Sequence, residues 1–202
     1  MHVACLDFEG VLVPEIWVGL AERTGIDGLR ATTRDIPDYD QLMGQRLRIM
    51  TDNGLGLADI QAAARQLDPL PGAAEFLAWL RTHFQVAIIS DTFYELALPL
   101  IEKLNFPMLL CHRLEVDHGL ITGYALRQPD PKRQSVRAFK ALNYRVAATG
   151  DSYNDVPMLS EADRSWFFDP PENVRRDNPQ IPAVFGYAAL REAFDSARRE
   201  FG

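Results

Sequence analysis

The chain has 202 residues, with 21 Lys and Arg against 28 Asp and Glu, a formal net charge of −7. Its 47% hydrophobic and 24% charged residues are ordinary globular values that exclude a wholly disordered chain, and no apolar run of about 18 residues is available to span a membrane. The acidic balance argues against a general nucleic-acid or membrane-surface binder, and admits an anionic small molecule only where a site supplies local cations.

In chain order, the start MHVACLDFEG lacks the basic, then long apolar, pattern of a secretory signal, so a cytoplasmic protein is expected. Cys5 and Cys111 lie in apolar runs, without metal-binding spacing, and read as buried free thiols. Short apolar runs predict strands at His2–Leu6, Gln85–Ile89, Met108–Cys111, Arg145–Thr149, Ser165–Phe168 and Ala183–Phe185. Amphipathic stretches of helical period cover Gly72–His83, Lys132–Leu142 and Tyr187–Arg198. Strands alternating with helices predict a parallel sheet covered on both faces. From about Pro14 to Leu70 there is no convincing strand. Pro14 opens a helix that Gly25 closes, Pro37 precedes another ending near Asn53-Gly54, and a third covers Leu57–Leu67. This segment reads as a helical insert after the first strand. Leu114–Val116 and Ile121–Leu126 flank a hairpin turn at 117–120.

Four features carry chemistry. Asp7 and Glu9 follow the first strand, where ligands bind in a parallel sheet; the pair suits a hard cation or a nucleophile with a proton carrier, or is merely an acidic loop. Gly150-Asp151-Ser152-Tyr153-Asn154-Asp155 follows a later strand. It places Asp151 on a metal with Asp155 behind it, and capping alone would not need both carboxylates. Ser90-Asp91-Thr92 can hold a phosphate oxygen or simply cap a helix. Lys132, at a helix start where cations are not favoured, is aimed at an anion or is an exposed surface Lys. No GxGxxG, P-loop or GxSxG motif is present. Trp17 and Phe93 read as core packing, and Phe8 as pointing to the buried side opposite Asp7 and Glu9.

The order of these motifs resembles the haloacid dehalogenase superfamily of aspartyl-phosphate phosphotransferases. Within it the chain is similar to phosphoserine phosphatases, through Glu15, Arg46 and Asn154. The strings DFEGVLVPEIW, TTRDIPDYDQL, SDTFYE, DPKRQSV and GDSYNDVPMLSEA look like the bifunctional subgroup that also transfers phosphate from phosphoserine to homoserine. The resemblance implies an α/β fold with a Rossmann-like parallel sheet core at 1–13 and 71–202. It also implies a helical cap at 14–70 and a β-hairpin flap at 113–127. It implies Asp7 as nucleophile, Glu9 as general acid/base and Lys132 as stabiliser of phosphate charge. Mg²⁺ would be held by Asp7, the Glu9 backbone carbonyl and Asp151, with Asp155 positioning a metal water. Glu15, Arg46, Ser90, Asp91, Lys132 and Asn154 would bind substrate. Arg48 rivals Arg46 for the substrate carboxylate, but the two lie about 200° apart on a helix, so they would not serve together. The expected partners are phosphoserine and homoserine, with neither nucleic acid nor membrane.

Two departures from ordinary phosphoserine phosphatases agree with the bifunctional subgroup: Glu9 stands where Asp is usual, and Asp91-Thr92 where Gly-Gly is usual. The competing readings are another small phosphomonoester as substrate, or a receiver-like signalling domain that stores phosphate on Asp.

Overall fold

The computed structural model describes residues 1–33, 35–36 and 38–202. Pro37, expected to precede the second helix, lies outside the described residues. Among the described residues, seven strands form one sheet: β1 His2–Leu6, β2 Gln85–Phe93, β3 Met108–Asp117, β4 Leu120–Ala125, β5 Arg145–Gly150, β6 Arg164–Phe168 and β7 Ala183–Val184. Their spatial order is β4-β3-β2-β1-β5-β6-β7. Every neighbouring pair is parallel except β3 with β4. β1 is therefore central, and the strand order reverses beside it, between β1 and β5. That reversal opens a crevice at the strands' carboxyl ends. Residues Val3–Leu6 are buried almost completely, as a strand covered on both faces requires.

Helices Ile16–Thr24 (α1), Tyr39–Asp52 (α2) and Leu57–Gln66 (α3), with a 3₁₀ turn at Asp27–Arg30, intervene between β1 and the next core helix, Ala73–Arg81 (α4). Gly25 ends α1 at φ 72°, a left-handed cap that costs glycine no Cβ clash. α1 starts two residues after Pro14, not at it. Asp38 caps α2, its Oδ1 accepting the Gln41 N–H at 2.8 Å. Ile16, Leu20, Met43 and Ile60 of these helices join one apolar cluster with Leu6, Phe8 and Ile88 of the sheet region. Phe8 is fully buried there, as expected.

The remaining helices are Tyr94–Lys103 (α5), Pro131–Ala141 (α6), Val156–Glu161 (α7), Glu172–Asp177 (α8) and Gly186–Phe201 (α9). The sequence suggests a helix start near Ser90-Asp91-Thr92 but no extent for α5, since Pro99 inside it weakens the helical signal of that stretch. β3 runs unbroken through what the sequence suggests as two pieces. Its hairpin turn is only His118-Gly119, both at positive φ, with Asp117 paired to Leu120. β2 also runs past Ser90-Asp91-Thr92 to Phe93, so none of those three caps α5. Cys5 and Cys111 are buried free thiols. Among the described residues, no helix is long and apolar enough to cross a membrane.

Candidate active site

The carboxyl ends of β1, β2 and β5 meet around Asp7. The Asp7 N–H donates to the Thr149 carbonyl at 3.0 Å, which ties the end of β1 to the end of β5. The chain then turns sharply. Leu12 and Val13 N–H groups both return to the Phe8 carbonyl, and Gly10 sits at φ 80°. A Cβ on Gly10 would lie 2.6 Å from the Asp151 carboxyl carbon, so the turn needs glycine for both conformation and space. Gly150 is constrained likewise, since its Cβ would collide with the Asp155 carboxyl.

Lys132 lies in the first turn of α6 and is 2% exposed. Its Nζ is 3.0 Å from Asp7 Oδ1 and donates to Asp155 Oδ1 at 2.6 Å. Of the two readings of Lys132, the buried one aimed at anions is therefore the one found. Burial works to lower its pKa, but the charges of Asp155 and Asp7 overcome this and hold it well above the usual value. Asp155 is fully buried, and its other oxygen accepts the N–H groups of Asp151 and Ser152 at 2.9 and 3.1 Å. It thereby fixes the loop that presents Asp151. The Asp7 carboxyl is pushed well above its usual pKa by burial and by Asp155, with Lys132 opposing.

Asp7, Asp151 and Asp155 bring one carboxylate oxygen each within 4.8 Å of one another. This is a set of hard oxygen donors suited to a divalent cation such as Mg²⁺. A cation here would also relieve the mutual repulsion that raises Asp7. The donor chemistry therefore fits the ion that the sequence led us to expect.

The other end of the site belongs to the helical insert. Arg46 of α2 is 5% exposed, whereas Arg48 is exposed. Arg46 lies over the Trp17 ring, 4.7 Å from its centroid, and its Nη2 donates to the Ala31 carbonyl at 2.9 Å. Among the described residues its Nε finds no hydrogen-bond acceptor. Trp17, expected only to pack in the core, is buried and also lines the cavity. Periodicity marks a buried face but not whether that face fronts an empty space. Phe93 does pack in the core. Burial and the neighbouring Glu15 raise Glu9 well above its ordinary pKa, while Arg46 pulls it down. Glu9 thus keeps a proton where a solvated Glu would have lost it.

Asp91 stands between the two ends. Its carboxylate receives Asn154 Nδ2 at 2.8 Å and faces His112 Nε2 at 3.5 Å. Burial would raise its pKa, but Lys132, His112 and Asn154 prevail and bring it down to about 2. A cavity of about 60 Å³ connects all of this, lined at one end by Asp7, Ser90 and Asp151 and at the other by Glu15, Trp17 and Arg46. Tyr39, Thr92 and Ser152 also line it; the sequence marks Thr92 only within the Ser90-Asp91-Thr92 segment and Ser152 only as a capping residue, and gives Tyr39 no role. Tyr39 lay inside a quoted motif; His112, which braces Asp91, had no local signal at all.

An acidic, lysine-bridged crevice at the switch point of a parallel sheet, lined also by residues of the helices inserted after β1, places the chain in the class of Rossmann-like α/β proteins. The family is more specific. The model of the haloacid dehalogenase-like hydrolases matches residues 12–160, and the chain belongs to that family. It is 62% identical over 195 residues to the phosphoserine phosphatase ThrH of Pseudomonas aeruginosa, covering 96% of this chain and 95% of that protein. It is 60% identical to a phosphoserine phosphatase of Pseudomonas syringae pv. tomato, over 98% of this chain and 84% of that one. Among solved structures it is similar to a substrate-bound phosphoserine phosphatase complex, with TM-score 0.79, 20% identity and coverage of 96% and 97%. A phospho-aspartyl intermediate analogue of phosphoserine phosphatase gives TM-score 0.78 at 21% identity, covering 96% and 98%. At that identity these two structures speak for the fold alone.

Proposed function

We propose that the chain is a Mg²⁺-dependent phosphoserine phosphatase that also passes the phosphoryl group from phosphoserine to homoserine. One observation carries the substrate class. Arg46 is a buried guanidinium whose Nε finds no acceptor among the described residues, lining the same cavity as Glu15 and Asp7. An amino acid phosphate has three charges to place. Arg46 suits its carboxylate, Glu15 its ammonium, and Lys132 with Ser90 its phosphate. The names of the full-length relatives support the same reading.

In this reading an Asp7 oxygen attacks phosphorus, forming a P–O bond as the bond to the serine oxygen breaks. The raised pKa of Glu9 leaves it a proton for that departing oxygen. Glu9 then takes a proton from water or from the homoserine hydroxyl as that oxygen displaces Asp7. The products are inorganic phosphate or phosphohomoserine. Lys132 stabilises charge on the transferring group. Asp7, the Glu9 carbonyl and Asp151 would hold Mg²⁺, with Asp155 behind them. The bound ion would lower the repulsion between a carboxylate nucleophile and an anionic ester. Segment 14–70 acts as a cap over the site, 113–127 as a flap beside it, and the buried free thiols accord with a cytoplasmic setting.

The test is turnover of phosphoserine with Mg²⁺, with and without homoserine, scoring phosphate against phosphohomoserine. Rates on nucleotide and sugar phosphates equal to that on phosphoserine would overturn the substrate assignment.

A further inference from the structure

The catalytic cavity of about 60 Å³ has room for a few waters. Beside it lies an outer cavity of about 730 Å³. The two share one wall, formed by Thr33, Tyr39, Asp91 and Asn154. Asp91 is its centre. The Asp91 carbonyl accepts the Tyr39 hydroxyl at 2.8 Å, and its carboxylate is bound by Asn154 and faced by His112.

His112 lines only the outer cavity and is 2% exposed. Its Nδ1 accepts the Arg127 backbone N–H at 3.1 Å. A ring nitrogen that accepts carries no proton, so the hydrogen sits on Nε2, toward Asp91. The three tethers of Asp91 come from α2, from the loop after β5 and from β3. The wall is therefore complete only while the insert rests on the sheet. The hairpin fastens that contact: the Gly119 carbonyl accepts the Leu57 N–H at 2.9 Å, and the Tyr124 hydroxyl bonds Asp40.

We propose that His112 is a positioning residue that holds the Asp91 wall in place, and that this wall decides whether water or an amino acid hydroxyl reaches phospho-Asp7. The inference rests on the function proposed above and extends it to a side chain outside the reacting groups. Water outnumbers any dissolved acceptor, so transfer wins only where water is kept from phosphorus. Either oxygen forms a new P–O bond, breaks the bond to Asp7 and gives one proton to Glu9. Only access separates the two outcomes.

The whole protein is supplied with phosphoserine, Mg²⁺ and a fixed concentration of homoserine, and both products are counted. His112→Ala removes one tether. The ratio of phosphohomoserine to phosphate should then fall about tenfold, the worth of one buried hydrogen bond, without slower use of phosphoserine. His112→Gln keeps an N–H near Nε2 and should restore the ratio to within about twofold. Should the alanine variant fail to fold, Tyr124→Phe loses only a surface hydroxyl and should lower the ratio in the same direction, by less. An unchanged ratio, or an equal fall in the alanine and glutamine variants, overturns the proposal. A wild-type protein that hydrolyses phosphoserine but yields no phosphohomoserine defeats the transfer reading alone. The wall is then judged by decay of the phosphoenzyme in water, which should be faster in His112→Ala; equal decay overturns it. If phosphoserine is not used at all, the same decay is followed after loading with p-nitrophenyl phosphate.

Discussion

The two ends of the catalytic cavity are built differently. Around Asp7 the side chains are tied to one another and to the backbone: Lys132 bridges Asp7 and Asp155, and Asp155 accepts two backbone N–H groups. These groups stand on the ends of β1 and β5 and in the first turn of α6, close to the middle of the sheet. At the other end, Glu15, Trp17 and Arg46 ride on the helical insert, and among the described residues the buried Arg46 Nε has no hydrogen-bond acceptor. A closed network holds reacting groups in one geometry, which suits a displacement at phosphorus. A cation with a donor left unpaired, carried on a separate set of helices, can meet a substrate and let it go. The proposed function puts chemistry at the sheet end and selection on the insert, so substitutions at the two ends should fail in different ways.

The largest effects belong to the sheet end. Asp7→Asn removes the proposed nucleophile and should cost on the order of 10⁴-fold or more in kcat, for hydrolysis and transfer alike, with phosphoserine binding retained. Steady-state rates with isothermal titration check both halves; retained turnover would remove Asp7 from its covalent role. Lys132→Met leaves Asp7 and Asp155 buried side by side without their cation. Breaking such a buried pair should destabilise the fold by about 3–5 kcal/mol, read by urea unfolding. A variant as stable as the parent would mean that the network is not closed as described.

The sheet end was also the legible end. Asp7-x-Glu9 and Gly150–Asp155 are short contiguous motifs after apolar runs, and a parallel sheet brings strand ends together whatever lies between them. The insert end depends on contacts that no local pattern encodes. Tyr39 meets the Asp91 carbonyl across 52 positions, and nothing near His112 in the chain marks it as the partner of Asp91. Trp17 was assigned to the core because a buried helical face looks the same whether it fronts packing or a cavity. Arg46 was preferred over Arg48 by likeness alone, and burial now separates them physically. Strand lengths fell short for a simpler reason: β3 becomes exposed and polar at Arg113 and Glu115 as it enters the hairpin, which breaks up the apolar run.

At the insert end the expected loss is smaller and of another kind. Arg46→Lys keeps the charge but loses the planar fork and the fit over Trp17. It should lower kcat/KM for phosphoserine about 10- to 100-fold, mostly through KM. Arg48→Ala, at an exposed position of the same helix, should stay within about twofold of the parent. Equal effects at the two positions would dissolve the distinction between them. A fall confined to kcat would place Arg46 with the chemistry instead of with selection.

Asp91 lies where the two ends meet, and its titration tests whether it is braced as strongly as the sheet end. Its carboxyl has a folded pKa of about 2, held down by Lys132, His112 and Asn154 against its burial. An unfolded Asp titrates near 4, so the folded state binds this proton less readily than the unfolded chain. The stabilisation is therefore full above about pH 4 and is lost as pH falls toward 2. A shift of that size corresponds to about 2 kcal/mol. Asp91→Asn has no proton to gain, so the stability gap between parent and variant should narrow by that amount from pH 5 to pH 2, read by urea unfolding at each pH. Asp7 and Glu9, whose pKa values are raised, act with the opposite sign and cannot produce the same narrowing. A gap independent of pH would show that Asp91 is held by geometry alone, and that the brace between the two ends is not electrostatic.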